Sequence, residues 1–283
     1  MSVDTAIKKE QSLARKAGAF LQKNMPPLFI SLILVVGHLS FGILEGLENI
    51  IITIVASVII DLSVGKLYTG KWKNPASAYI SGISVSILVR STFLWPYVVT
   101  AGISILSKYV IRYKGRHIWN PSNLGISWML FFAPLYVAGL SVQWGNDLLP
   151  MAVIWMLGMV IVYRAKRLHI TLTYVISFIV FAFIRSLITH DPFLAELAPL
   201  TGPMYQLFIF FMITDPPSNV RSKKGQILVV FIVALVELIL RLNQFVYAPF
   251  YALAIVGPAA KFIDLRMAGN KSESSKRGLL KVR

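Results

Sequence analysis

Apolar runs follow one another from residue 28 to residue 263, joined by short polar stretches. Runs of this length and apolarity read as membrane helices, because a helix that satisfies its own backbone is one of the few structures that hydrocarbon tolerates. Composition agrees. The 283 residues are 56% hydrophobic and 14% charged, where a soluble domain carries roughly 25% charged residues. With no cysteine in the chain, disulfides, thiolate metal sites, iron–sulfur clusters and cysteine nucleophiles are excluded.

The net charge of +16 raises nucleic acid as a partner. That reading needs a basic face on a water-soluble domain, and a mean hydropathy of +0.69 leaves little room for one. No nucleic-acid partner is therefore expected; the basicity reads as topology. Spans are placed at about 28–45, 49–65, 77–90, 94–111, 122–142, 150–163, 169–188, 203–214, 225–240 and 245–263. With ten spans, every Lys and Arg except Arg90, Arg185 and Arg241 falls on the side that holds the N-terminus. The opposite loops carry Glu45, Glu48, Asp147, Asp191 and Glu196. The positive-inside rule then puts both termini in the cytoplasm, with a bacterial inner membrane as the expected location. The first 24 residues are basic but lack an apolar core followed by a small-residue cleavage site, and read as a cytoplasmic lead-in.

Two spans are short. At ~1.5 Å per residue, 77–90 and 203–214 reach only roughly two-thirds of a ~30 Å hydrocarbon core. Each is third in its half when the chain is cut near residue 146, and five spans per half invert the second half relative to the first. The expected fold is thus all-α and membrane-integral, about ten helices in two inverted five-helix repeats (25–146 and 147–265), with a disordered basic tail at 266–283. Short segments at matching positions of inverted halves point to a site near the midplane. The plainer alternative is a hairpin of short, tilted helices packed inside the bundle.

Two motifs carry polar chemistry. In KYVIRYKGRHIWNPSN, from Lys108 to Asn123, Asn120–Pro121 signals a turn and Ser122 or Asn123 is expected to cap the next helix. It reads either as a basic loop with a helix cap or as a helix N-terminus able to cradle an anion. In FFMITDPPSN, Thr214 and Asp215 sit where a half-helix stops and Pro216 prevents its continuation. Arg221, Lys223 and Lys224 would neutralise Asp215, or Thr214 and Asp215 would supply acceptors to a cofactor or cation. Glu237 and Arg241, four apart, are expected to pair on one helix face, and Asp61 to reach Lys66. Of the four histidines only His38 lies well inside a span, which disfavours haem, and no hydrolase or nucleotide-binding motif is evident.

Three stretches together resemble the NqrB/RnfD family, the integral-membrane subunits of sodium-pumping NADH:quinone reductase and of the Rnf ferredoxin:NAD electron-transport complex. They are SAYISGISVSILVRSTFLWP from Ser77, Lys108 through HIWNPSNLG, and Gly202 through FFMITDPPSN, Gly225 and Arg241 to Pro258 and Asp264. The resemblance covers about residues 50–265 and implies ten helices in two inverted repeats, an architecture shared with urea and ammonium channels. Members with covalent FMN attach it to the threonine of a Ser-Gly-Ala-Thr motif; no such tetrapeptide occurs here, so covalent FMN is not expected. The chain is most similar to the shortened, enediyne-biosynthesis-type branch, often labelled RnfD-like. The resemblance implies an electron-transport subunit without a catalytic motif of its own, holding noncovalent FMN or riboflavin, or a quinone, and working with other redox subunits in the bilayer. The residues expected at the cofactor are Asn120, Pro121, Ser122 and Asn123 in the first half and Thr214, Asp215 and Pro216 in the second. Ser77, Ser81 and Gly82 would allow close packing or ligand approach. The alternatives are a solute or ion channel of urea-channel-like architecture and a scaffold for a biosynthetic complex.

Overall fold

The computed structural model describes residues 46–139 except Lys73, 148–281 except Pro216, and Pro27, Ser31, Leu32, Val35, His38 and Leu39. The chain is helical, with one two-stranded hairpin among the described residues. Helix α1 is Leu47–Thr69, α2 Ala76–Leu88, α3 Trp95–Val110 and α4 Pro121–Phe132. Then come α5 Leu148–Arg164, α6 Leu168–Thr189, α7 Phe193–Leu197, α8 Pro203–Leu207 continued by a π-turn over Phe208–Met212, α9 Lys223–Leu242 and α10 Ala248–Lys281. The expected first span, 28–45, lies mostly outside the described residues.

Among the described residues four helical stretches, Leu47–Thr69, Leu168–Thr189, Lys223–Leu242 and Ala248–Ala268, are long and apolar enough to cross a bilayer. Their outward faces carry large apolar side chains such as Ile51, Ile59, Ile176, Phe183, Leu228 and Ile239. In water such surface would drive association; in lipid it is the solvated face. This is a membrane protein. Its larger apolar cluster draws on both halves, with Ile83, Ile126 and Met129 from the first and Tyr174, Phe178, Phe208 and Phe250 from the second; a smaller one gathers Ala78, Ile105 and Tyr109.

Helix α1 packs on α2 and α3, and α3 on α4; α6 packs on α9, and α9 on α10. The first set closes through small residues. A Cβ on Gly82 would lie 2.9 Å from Ile54 Cα, and one on Gly125 2.6 Å from the Thr100 carbonyl oxygen. Small side chains let backbones approach where hydrophobic exclusion cannot drive helices together. In the second set the elements are joined by charge. Glu237 on α9 accepts hydrogen bonds from Tyr174 of α6, from Tyr205 of α8 and, at 3.0 Å, from Arg241 Nε. Arg241 also bonds the Tyr205 hydroxyl and lies over the Phe178 ring. The expected Glu237–Arg241 pair is present and belongs to a larger network.

The structure corrects several expectations. The fifth span, placed at 122–142, stops as a helix at Phe132, because Ala133 precedes Pro134 and leaves helical geometry. Asp61 meets Tyr109, whose hydroxyl donates to its Oδ1 at 2.9 Å, rather than Lys66, which stacks over Trp72. The last helix, placed as a span at 245–263, runs from Ala248 to Lys281. No proline follows Pro258 there, and Lys, Glu and Ser have ordinary helix propensity.

Candidate functional site

The two short helices are products of local sequence. Helix α2 begins after Asn74, whose Oδ1 accepts the Ala76 N–H at 2.9 Å, and runs 13 residues before Val89 turns extended. Arg90 then exchanges two backbone hydrogen bonds with Ala138, tying the end of α2 to the segment after α4. At ~20 Å, α2 falls short of a bilayer core. In the second half, α8 and its π-turn together cover only residues 203–212. The π-turn is closed by Ile213 N–H donating to Phe208 O at 3.0 Å, and such turns recur at functional positions.

Where the second short helix stops, its carbonyls are taken up by side chains. Asn219 Nδ2 donates to Ile213 O and Asp215 O, both at 2.9 Å. Met212 O accepts Asn120 Nδ2 from the first half at 3.1 Å. Thr214 Oγ1 donates back to Phe210 O at 2.6 Å. Asp215 is held by Ser218, whose hydroxyl donates to Oδ2 at 2.7 Å. The expectation that Arg221, Lys223 and Lys224 neutralise Asp215 is corrected: Arg221 pairs with Asp264 at 3.1 Å, and Lys223 and Lys224 open α9.

Asn120 explains the Asn-Pro motif. It is the N-cap of α4, accepting the Asn123 N–H on Oδ1 at 3.1 Å, with Pro121 at the first helical position. The cap is therefore Asn120, not Ser122 or Asn123, which lie inside the first turn. Its amide is satisfied on both sides, since Oδ1 caps α4 and Nδ2 crosses to Met212. Asn123 Nδ2 and Ser127 Oγ both donate to Phe250 O at 3.1 Å, and Trp119 Nε1 to Ala254 O at 2.8 Å, so this turn joins α4 to α10.

Before α4 a hairpin pairs β1, Arg112–Tyr113, with β2, Arg116–His117. Its two turn residues, Lys114 and Gly115, both have positive φ, the pattern of a tight two-residue hairpin turn. Tyr113 stacks on Phe262, with ring centroids 4.6 Å apart, and anchors the hairpin to α10. The hairpin brings His117 beside Asn120.

These elements enclose a cavity of about 300 Å³ between the halves. Ser77, Ile80, Ser81 and Ser84 of α2 form one wall; His117, Asn120, Pro121 and Ser122 form another; Phe211, Met212, Asp215 and Pro217 close it from the second half. Pro27 and Ala76 complete the described lining. Six residues singled out from sequence, Ser77, Ser81, Asn120, Pro121, Ser122 and Asp215, come together here from positions up to 138 apart in the chain. Gly82 does not line the cavity and serves the contact with α1. Asn123 and Thr214 are buried beside it with the backbone partners given above. Pro216 lies outside the described residues. Sequence reasoning did not select Ser84, Phe211 or Met212; the 3–4 residue spacing of Ser77, Ser81 and Ser84 on one helix face was the available signal for the first.

Lys108 adds a cation at the rim, its Nζ donating to Ser77 Oγ at 3.0 Å. Burial lowers the His117 pKa, against the opposing pull of Asp215, so the neutral imidazole is favoured. Burial raises the Asp215 carboxyl above its ordinary range, although Ser218, His117 and Lys108 all favour its charged form. An acid whose folded pKa is raised binds more protons folded than unfolded. Its contribution to stability is full below the unfolded pKa, about 4, and is lost as pH rises through the folded value. Thermal midpoints of wild type and Asp215→Asn in detergent between about pH 4 and 7 test this: the wild-type midpoint should fall relative to the variant as pH rises, and parallel curves would refute it.

No protein-family model matches the chain, and no curated protein matches it.

Proposed function

We propose that the protein is a membrane electron-transport subunit that holds a noncovalent flavin or a quinone in the cavity between its halves. The observation that carries this reading is the convergence of the Ser-rich short helix, the Asn-Pro turn and the Thr-Asp-Pro break on one 300 Å³ space. These are the stretches through which the sequence resembles NqrB/RnfD proteins. The volume lies at the lower end of small-molecule sites, which suits a ring system whose substituents extend outside. The lining suits such a group: apolar Ile80, Phe211 and Met212 for a planar face, and Ser122, His117 and Asp215 for its polar edge. A bound flavin would supply one- and two-electron transfer. The chain's own residues position the ring and keep bulk water from it.

The reading includes an architecture of ten helical segments in two inverted halves, both termini on the cytoplasmic side of a bacterial inner membrane, and association with other redox subunits. Three things support it: a short helix third in each half, the matching packing order of α1–α3–α4 and α6–α9–α10, and the one-sided distribution of Lys and Arg.

The test is the absorption and fluorescence spectrum of detergent-purified protein before and after denaturing precipitation, with mass spectrometry of the supernatant. Flavin absorption that moves into the supernatant, or a released quinone, is expected. A colourless protein releasing neither overturns the reading, and solute flux through it in liposomes would replace it with a channel.

A further inference from the structure

Helices α6 and α9, both long and apolar enough to cross a bilayer, begin side by side. His169 Nε2 in the first turn of α6 donates to Gln226 Oε1 in the first turn of α9 at 2.7 Å. Around that bond the sequence is densely basic, with Arg164, Lys166 and Arg167 leading into α6 and Lys223 and Lys224 opening α9. No Asp or Glu occurs in 160–176 or 217–236 to offset them. Arg164, Lys166, Lys223 and Lys224 are exposed, and their side chains bond nothing among the described residues. Lys108, Arg112, Lys114, Arg221 and Lys261 differ, since each donates to an oxygen of the protein. Arg167 adds an independent sign: its Nη1 is buried and has no acceptor. Buried donors are normally paired, so this one is left for a ligand that brings oxygens to the patch.

Beyond the patch the same two helices expose hydrocarbon. Leu172, Ile176 and Ile179 on α6 and Leu228, Phe231 and Leu235 on α9 are all exposed. A partner that matches both features carries an acidic head and apolar tails. We propose that the patch is a binding site for an anionic phospholipid, whose phosphate faces the cations of the α6 and α9 starts and whose acyl chains lie along the exposed apolar residues. Position selects this partner. Cations next to the start of a span sit at headgroup level, and basic pockets between spans take up anionic headgroups. The positive ends of two helix dipoles act in the same sense. A soluble acidic protein or free phosphate would meet the cations and leave the apolar faces unused. The inference draws neither on the cavity between the halves nor on the flavin reading.

The experiment titrates delipidated, detergent-purified full-length protein with short-chain phosphatidylglycerol, phosphatidylcholine of the same chain length, glycerol phosphate and a polyglutamate peptide, with bound ligand read by native mass spectrometry. Phosphatidylglycerol is expected to bind at least about tenfold tighter than phosphatidylcholine. The double variant Lys223→Gln/Lys224→Gln should weaken phosphatidylglycerol roughly fivefold per cation, about 25-fold in all, and leave phosphatidylcholine unchanged. Arg164→Gln/Lys166→Gln is the second variant, with the same expectation should the first fail to fold. Lys71→Gln/Arg116→Gln removes as much charge from exposed positions outside the patch, and should change the affinity less than about twofold, as screened charges do. An equal loss in that control pair would mean that overall charge attracts the lipid, and would overturn the site. Equal affinity for the two phospholipids overturns it as well. Glycerol phosphate binding as tightly as phosphatidylglycerol would make the ligand a soluble phosphate, and polyglutamate binding without phosphatidylglycerol an acidic protein; either overturns the lipid assignment.

Discussion

Glu237→Ala is expected to destabilise the protein by about 3–5 kcal/mol, the usual consequence of removing one partner from a buried ion pair. Glu237 is 1% exposed, and its two oxygens receive Tyr174, Tyr205 and Arg241 from three elements. Deleting the carboxylate strands a guanidinium that is 17% exposed and two tyrosine hydroxyls with no other acceptor among the described residues. Arg241 would keep its bond to the Tyr205 hydroxyl and the faces of Phe178 and Tyr205, and a cation–π contact is worth about 0.5–2 kcal/mol. Glu237→Gln, which retains an acceptor, should lose roughly half as much. The double variant Glu237→Leu/Arg241→Leu should lose less than the sum of its parts, because neither charge is left alone. Equilibrium unfolding in mixed micelles measures all three; a Glu237→Ala protein within about 1 kcal/mol of wild type would show that the cluster is solvated.

The same cluster marks where sequence reading stops. The Glu237–Arg241 pair was legible because a spacing of four residues places both on one helix face. Tyr174 and Tyr205 were not, since they are 63 and 32 residues from Glu237 and nothing local distinguishes them from other aromatic residues in apolar helices. Asp61 fails likewise: the nearest cation in sequence is Lys66, while its partner is Tyr109, 48 residues away. The short helices were legible from length, because 77–90 and 203–214 are bounded by turn residues, and the structure places them at 76–88 and 203–212. The end of α4 was legible and missed. Pro134 disfavours helical geometry at Ala133 whatever the apolarity of the residues beyond. For the cavity, sequence supplied the polar motifs but not their meeting. That meeting depends on the Asn120-to-Met212 hydrogen bond across 92 residues and on a hairpin whose Lys-Gly turn brings His117 back beside the helix start.

Gly125→Ala is expected to cost about 1–3 kcal/mol, the range for overpacking a close contact, and to abolish ligand binding in the cavity. The added methyl would lie 2.1 Å from Ser104 Oγ and 2.6 Å from Thr100 O. The serine rotates away at little cost. The Thr100 carbonyl does not, because it belongs to the backbone of α3, so α3 and α4 must separate. Their separation moves the first turn of α4, which carries Asn120 and Ser122 into the cavity wall, and it pulls against the Asn123 and Ser127 bonds to Phe250 O. Gly102, on the face of α3 turned to α1, provides the control: a Cβ there meets only Ile60 Cδ1, at 3.8 Å, which is ordinary contact. Gly102→Ala should therefore be neutral or gain up to about 1 kcal/mol from helix propensity. Adding Ser104→Gly to Gly125→Ala should restore only part of the loss, because the carbonyl contact persists. Unfolding midpoints and ligand titrations on the same preparations test the coupling. Loss of binding in Gly102→Ala as severe as in Gly125→Ala would mean that the cavity depends on helix flexibility rather than on the spacing of α3 and α4.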